Sequence, residues 1–447
     1  MHHGTLSAFT LTAALAVTTA ALNAGPINPP AGPVTSTYKT LSEVEPRIAI
    51  NLANTPGDAD SLFKITQPGS YYLTGNITGV VGRHGIEIGV GGSGITLDLN
   101  GFDLAGVPAM GSFDGVSVAA SNLRNITILN GSLRNWGGYG IDLGSNTFNA
   151  VGCTIERIQA SGNGLAGFHF RDATTISDCS AYNNASSGFS GSFADGSIVV
   201  RCSSSSNLGS GFEVSSGCVV TDCTATNNGN VGLSLATGCT ITGCTSRDNT
   251  GSGISTSAGC SIVGCTLSSN GAYGILTGSS TISGCTVRGS GLNGIDANNS
   301  SNVLNCTVTS NGGHGIRALA GSTVTGCHVS GSGQDGINCA SACSILNNTC
   351  DANGTATATG GGVHVTGADN HIEGNRCSNA DRGILVDAAG NVIVKNTCAT
   401  NTVDWIIAVN NIYGPVVDRR APASVFVNGF AAPSTLGSTD PNANFSY

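Results

Sequence analysis

Between Cys218 and Ile337 the chain writes one phrase six times with small changes: CTATNNGNVGLSLATGCTITG, CTSRDNTGSGISTSAGCSIVG, CTLSSNGAYGILTGSSTISG, CTVRGSGLNGIDANNSSNVLN, CTVTSNGGHGIRALAGSTVTG and the opening CHVSGSGQDGI. The leading cysteines, traced back through two earlier copies, are Cys179, Cys202, Cys223, Cys244, Cys265, Cys285, Cys306 and Cys327, separated by 23, 21, 21, 21, 20, 21 and 21 residues. So constant a period means stacked supersecondary units, none able to bury its apolar face alone. Within one period the apolar stretches are short: a Gly-Ile pair, an Ile or Val after Thr, a Cys, and a Val or Leu two residues later. Such runs, rich in Thr, Val and Ile and broken by Gly, Asn and Ser, read as brief strands joined by tight turns. Leucine-rich repeats share the length, but the spaced leucines they require are missing.

What remains is a coil of about three short strands that stacks on the next coil about 4.8 Å away, an all-β parallel β-helix solenoid. Parallel crossovers are overwhelmingly right-handed, so the right-handed form is expected. The apolar residue after the glycine recurs at Ile86, Val116, Ile141, Phe168, Phe189, Phe212, Leu233, Ile254, Ile275, Ile295, Ile316, Ile337, Val363, Ile384 and Trp405, which predicts about fifteen coils. An amide is expected to stack at one bend, at Asn163, Asn184, Asn207, Asn228, Asn249, Asn270, Asn311 and Asn379, with Ser290 and Ser332 as substitutes. Each amide can donate to the coil on one side and accept from the other.

The pattern resembles the right-handed parallel β-helix superfamily that contains pectate lyases, polygalacturonases and alginate epimerases. The resemblance spans about residues 63–412. In that superfamily the inner bend residue is commonly asparagine, as Asn348, Asn375 and Asn396 are here; this chain departs from it by placing cysteine there in the eight preceding coils. The His and Arg of GHGIR (313–317) resemble elements of polygalacturonases, but the acidic partners of that family are absent, as is the Asp-Pro-His-Glu signature of alginate epimerases, so neither chemistry carries over. GSGLNG (289–294) and GSGQDG (331–336) fit a dinucleotide-binding pattern, yet no helix follows and both are turns of the repeat.

Residues 1–24 supply an apolar run ending in small residues and are expected to be a secretory signal peptide, so the protein is expected to be secreted or held at the cell surface. Residues 25–62 read as an N-terminal linker and cap, 63–412 as the β-helix, and 413–447 as a C-terminal cap or tail. No other stretch is long and apolar enough to cross a membrane. With a net charge of -9 and only three lysines, a phosphate-backbone partner is not expected. Seventeen cysteines in an exported chain would ordinarily suggest a disulfide framework. In-register stacking, however, leaves neighbouring Cβ atoms about 4.8 Å apart where a relaxed disulfide wants about 3.8 Å. Buried free thiols acting as small apolar fillers are therefore expected, with vertical disulfides and a metal role as alternatives and Cys339 with Cys343 as the first exception.

Function on such a rod belongs on the outward face of one sheet. There, Asp296, His314, Arg317 and Asp335 should form one polar cluster, an acid, a base and a cation able to act on a uronic-acid polymer. The alternative is a surface ion pair worth at most about 1 kcal/mol beside a solvated histidine. A second group of binding candidates is Asp142, His169 and Glu213, with Tyr139, Tyr273, Trp136 and Tyr182 as aromatic platforms for sugar. Two readings follow. One is a structural or glycan-binding protein whose partner is a polysaccharide, without a complete catalytic set. The other is a polysaccharide lyase or hydrolase. No metal or cofactor is expected, calcium entering only if the chain is a lyase.

Overall fold

The computed structural model describes residues 45–89, 91, 93–144, 149–354, 360–418 and 439–447. The expected signal peptide and most of the expected linker lie outside the described residues. From Arg47 onward the chain forms one compact unit. Among the described residues its elements are all strands, and every pairing between those strands is parallel.

A regular turn carries three strands of three residues, for example Val219–Thr221, Thr224–Thr226 and Leu233–Leu235. What makes the chain bend so sharply is visible in the backbone. The residue ahead of each bend cysteine or asparagine (Asp178, Arg201, Asp222, Gly243, Gly264, Gly284, Asn305, Gly326, Asn347, Gly374 and Lys395) is left-handed, with φ between 52° and 69°. Gly, Asn and Asp tolerate that region best, which is why GC, DC and NC pairs punctuate the repeat. The glycine of the Gly-Ile pair has a different reason. A Cβ on Gly294 would stand 2.4 Å from Val308 Cγ1 and 2.7 Å from the Gly315 carbonyl oxygen, so the rung has no room for a side chain there.

The Gly-Ile strands stack into a sheet of 16 strands, from Ser61–Ile65 to Val403–Ile407. The pairing follows the sequence reading residue by residue: Ile86 with Val116, Phe168 with Phe189, Ile295 with Ile316, Ile384 with Trp405. It adds one rung ahead of Ile86, where Phe63 pairs. The stack therefore holds slightly more coils than the fifteen expected. The strand Ile48–Ala49 also pairs into it, beside Tyr71 and Tyr72, and Asn444–Ser446 returns to pair with Thr397 and Cys398 beyond the expected end at 412.

Like residues meet along the axis. Phe168, Phe189 and Phe212 stack with ring centroids 4.7 Å apart and planes within 8°. The asparagine column forms from Asn163 to Asn270, each Nδ2 donating to the next Oδ1, at 2.9 Å from Asn163 to Asn184 and 3.0 Å from Asn207 to Asn228; past Ser290, Asn311 only accepts, from the Ser290 N–H at 2.9 Å. Asn379 is a correction. It occupies the left-handed position at the surface and bonds Asp351, while the column position beside it is Ala380, whose N–H donates to Asn401 Oδ1 at 3.0 Å. All 17 cysteines are buried and free, Cys339 and Cys343 included. Most of the thiols donate to main-chain carbonyls, as Cys223 does to Thr221 at 3.3 Å and to Val199 of the preceding coil at 3.5 Å. A thiol is thus an apolar filler that still has an acceptor for its weak donor.

Candidate functional site

Two columns of side chains face outward from the 16-stranded sheet, one just ahead of the glycine and one just after the apolar residue. On most central rungs the second column is small or neutral, with Ser190, Ser234, Ser255 and Leu276. Charged residues gather instead at two places.

The first lies between Asn293 and Asp387 and contains all four residues expected to act together. They form two groups. Arg317 donates through NH1 to both carboxylate oxygens of Asp296, at 3.2 and 3.4 Å, and Asn293 Nδ2 donates to the same carboxylate at 2.6 Å. The Asp296 side chain is 4% exposed and that of Arg317 38%, so the acid is buried beneath a guanidinium that faces out. His314 belongs to the other group: its Nδ1 lies 3.3 Å from Asp335 Oδ2 and accepts the Asp335 N–H at 3.3 Å. Asn293 joins the groups, since its Oδ1 accepts the His314 N–H at 2.9 Å.

Two members went unassigned by sequence reasoning. His364 Nδ1 bonds Asp335 Oδ2 at 2.9 Å, and its Nε2 bonds Asp387 Oδ2 at 2.9 Å, so one imidazole bridges a buried and an exposed carboxylate. Asn338 Nδ2 and the Gly361 N–H complete the shell of Asp335, at 2.9 and 2.7 Å. His364 stands in the outward column and was findable there; Asp387 lies beyond the apolar strand residues and carries no periodic signal. Burial pushes the Asp335 carboxyl up, but hydrogen bonds from His314, His364 and Gly361 outweigh it and hold the group well below the usual carboxylate range. For His364 burial disfavours the charge, and the carboxylates of Asp335 and Asp387 overcome that to raise its pKa.

The second place is near the start of the stack. Asp142 Oδ1 bonds His169 Nδ1 at 2.7 Å, and the ring of Tyr139 stacks on that imidazole with centroids 4.6 Å apart. Asp114 accepts the Tyr139 N–H at 2.6 Å and lies 3.3 Å from His84 Nδ1, while Phe113 meets His84 edge-on. Burial foremost, with the Asp142 charge added, pushes the Asp114 carboxyl up against the opposing effect of His84. Of the binding candidates, then, Asp142, His169 and Tyr139 come together. Glu213 stands two rungs beyond His169, past Ser190, and Tyr273 lies in the middle of the sheet. Trp136 is a correction: it is 1% exposed, and its Nε1 donates to the Leu104 carbonyl, so it offers no platform.

Beside His84, the carboxylates of Asp58, Asp60 and Glu87 come within 4.8 Å of one another. The Lys64 ammonium is ion-paired there to Asp58, at 2.6 Å, and to Glu87, so the positive charge in that cluster is the protein's own.

Comparison with known proteins bears on the fold. The A-module of the mannuronan C-5 epimerase AlgE4 of Azotobacter vinelandii is similar at 17% identity and a TM-score of 0.38, covering 78% of this chain and 91% of that one. Tailspike protein 3 of bacteriophage CBA120 is similar at 11% identity and a TM-score of 0.40, covering 82% and 60%. The pectate lyase Pel9A is similar at 17% identity and a TM-score of 0.34, covering 51% and 70%. No curated protein matches the sequence. The profile of the right-handed β-helix region matches residues 114–267, 214–282 and 274–418, well over half of the chain. A stack of parallel three-strand rungs that also satisfies this profile over most of its length belongs to the right-handed β-helix family.

Proposed function

We propose that this protein is exported and binds an extended polysaccharide along the outward face of the 16-stranded sheet, around Arg317, Asn338, His314 and His364. The observation that carries the reading is the run of successive rungs Asp296, Arg317, Asn338 and His364, paired in register and each holding a neighbour in place. Over the buried Asp296, the partly exposed donors and acceptors of Arg317, Asn338 and His364 recur about every 4.8 Å along an open surface, which suits a polymer with repeating hydroxyls better than a small enclosed ligand. Arg317 spends one nitrogen on Asp296 and can offer the rest of its fork to a hydroxyl or carboxylate.

A second reading, a lyase or hydrolase of uronic-acid polymers, rests on His314. Its Nδ1 faces Asp335, which orients the imidazole for proton transfer at Nε2. His364, with both nitrogens engaged, is a positioning residue in either reading.

The test is binding and turnover on alginate, pectate and polygalacturonate, with and without calcium. Binding without product, weakened about tenfold or more by Arg317→Gln, supports the first reading. Turnover abolished by His314→Gln with binding retained replaces it with the second, and absence of binding to all three polymers sinks both. Sequencing the N-terminus of protein recovered from the medium tests export.

A further inference from the structure

The two charged places on the sheet repeat one construction. In each, a histidine ahead of the glycine sets Nδ1 against the aspartate that holds the same column on the next rung: His84 against Asp114 and His314 against Asp335, at 3.3 Å in both. In each, the aspartate's own N–H donates back to that Nδ1, at 3.0 and 3.3 Å. The other carboxylate oxygen then takes a main-chain N–H from the rung beyond, from Tyr139 at 2.6 Å and from Gly361 at 2.7 Å. Even the exposures match, 20% and 19% for the histidine side chains and 7% for both aspartates. A further imidazole stands in the neighbouring column of each: His169, on Asp142, and His364, on Asp335. Four of the chain's eight histidines are spent on these two constructions.

We propose that His84, Asp114, Tyr139 and His169 form a second station for the same polysaccharide, so that one strand lying along the sheet touches both. This rests on the polysaccharide reading above. Asp114 precedes the third strand of the 16-stranded sheet and Asp335 the thirteenth. Ten steps of about 4.8 Å separate the two aspartates by about 48 Å, while the Tyr139–His169 platform and the Arg317 fork, seven to eight steps apart, lie about 34–38 Å from each other. The rungs between them carry mostly serine in the outward column, together with Glu213 and Leu276, so a strand can pass over. The stations differ in what they offer. Near the start of the stack the stacked rings of Tyr139 and His169 give a flat platform for the apolar face of a sugar, whereas the far station offers the Arg317 fork to hydroxyls and carboxylates. Once one station is occupied, the second contact becomes intramolecular, and avidity can exceed either single affinity by about 10²–10⁴.

The experiment is titration of the full chain with sized fractions of alginate, pectate and polygalacturonate, some shorter when extended than the roughly 34 Å between His169 and Arg317 and some longer than about 48 Å. Long fractions are expected to bind about 100-fold tighter than short ones, and Tyr139→Ala or His169→Gln is expected to erase that gain while leaving short-fraction binding at the Arg317 station intact. Two variants are used so that a folding defect in one, read from its melting curve, does not decide the result. Short fractions that bind while length brings no gain, or a gain that survives both variants, would overturn the second station and leave the polysaccharide reading standing. No binding at any length overturns both.

Discussion

Asp114 and Asp335 hold the same place on rungs ten apart, yet their carboxyl groups are driven in opposite directions. Burial acts alike on both; what differs is the next rung, a carboxylate (Asp142) in one case and an imidazole (His364) in the other. Asp335 ionises more readily in the folded chain than in the unfolded one, where about 3.9 applies, so its carboxylate stabilises the fold above about pH 4 and that contribution drains away on further acidification. Asp114 holds its proton more tightly when folded; its influence favours the fold below about pH 4 and fades as pH rises to its elevated value. His364, raised above about 6.5, stabilises fully below that pH and loses its contribution as pH climbs through its folded value. Asp335→Asn is therefore expected to flatten the fall of melting temperature below pH 4. It should also cost on the order of 3 kcal/mol at neutrality, because two imidazoles lose their buried partner. Melting curves taken from pH 3 to 9 check both, and an unchanged acid limb would refute the assignment. His314, Arg317, Asp296 and Asp335 were legible in the sequence because the period alone places them on adjacent rungs. Asp387 was not, because a residue beyond the strand's apolar core answers to no repeat.

At the scale of the rung, stability comes from identical groups stacked at fixed height, and the columns are therefore sensitive to single gaps. Phe189 is sandwiched between Phe168 and Phe212, and Phe189→Ala should cost about 3–5 kcal/mol by opening a cavity that the neighbouring rungs cannot close. Asn375 donates to Asn396 Oδ1 and the Ile345 carbonyl and accepts from the N–H and Nδ2 of Asn348. Asn375→Ala leaves the buried N–H of Asn348 without its acceptor on one side and the Ile345 carbonyl and Asn396 Oδ1 short of a donor on the other, and should cost about 3 kcal/mol, measurable by denaturant titration. The cysteine columns were readable for the same reason as the fold: their side chains recur with the backbone period. A thiol assay on denatured, unreduced protein is expected to find all 17 free, and six or more disulfides would defeat the filler account. Asn379 was misplaced because amide identity was followed where backbone conformation decides; the left-handed residue and the column residue are neighbours, and here asparagine took the first role.

Taken whole, the molecule is a stack in which each rung answers mainly to those above and below it, so its ends carry the edge problem of any open sheet. The C-terminal strand Asn444–Ser446 meets that problem on one flank: Asn444 Oδ1 accepts from the Asn396 N–H at 3.0 Å, continuing the amide column by one more step. The expectation of a C-terminal cap or tail over 413–447 did not name this strand, because a single three-residue strand, separated from the repeat by a long interval, has no period to show. Removing residues 439–447 should leave the Thr397–Ala399 strand with a free edge, lowering the melting temperature and promoting self-association, which light scattering would detect.

Near-identical sentences in tandem also invite unequal crossing-over. Excising one full copy, such as 244–264, joins Gly243 to Cys265 without altering the meter of the surrounding text. Such a deletion would shift the two histidine–aspartate constructions toward each other by one increment of about 4.8 Å while leaving each untouched. The rod is in this sense a ruler whose graduations can be added or removed, and the gap it spans is set by copy number instead of by the chemistry of any one residue.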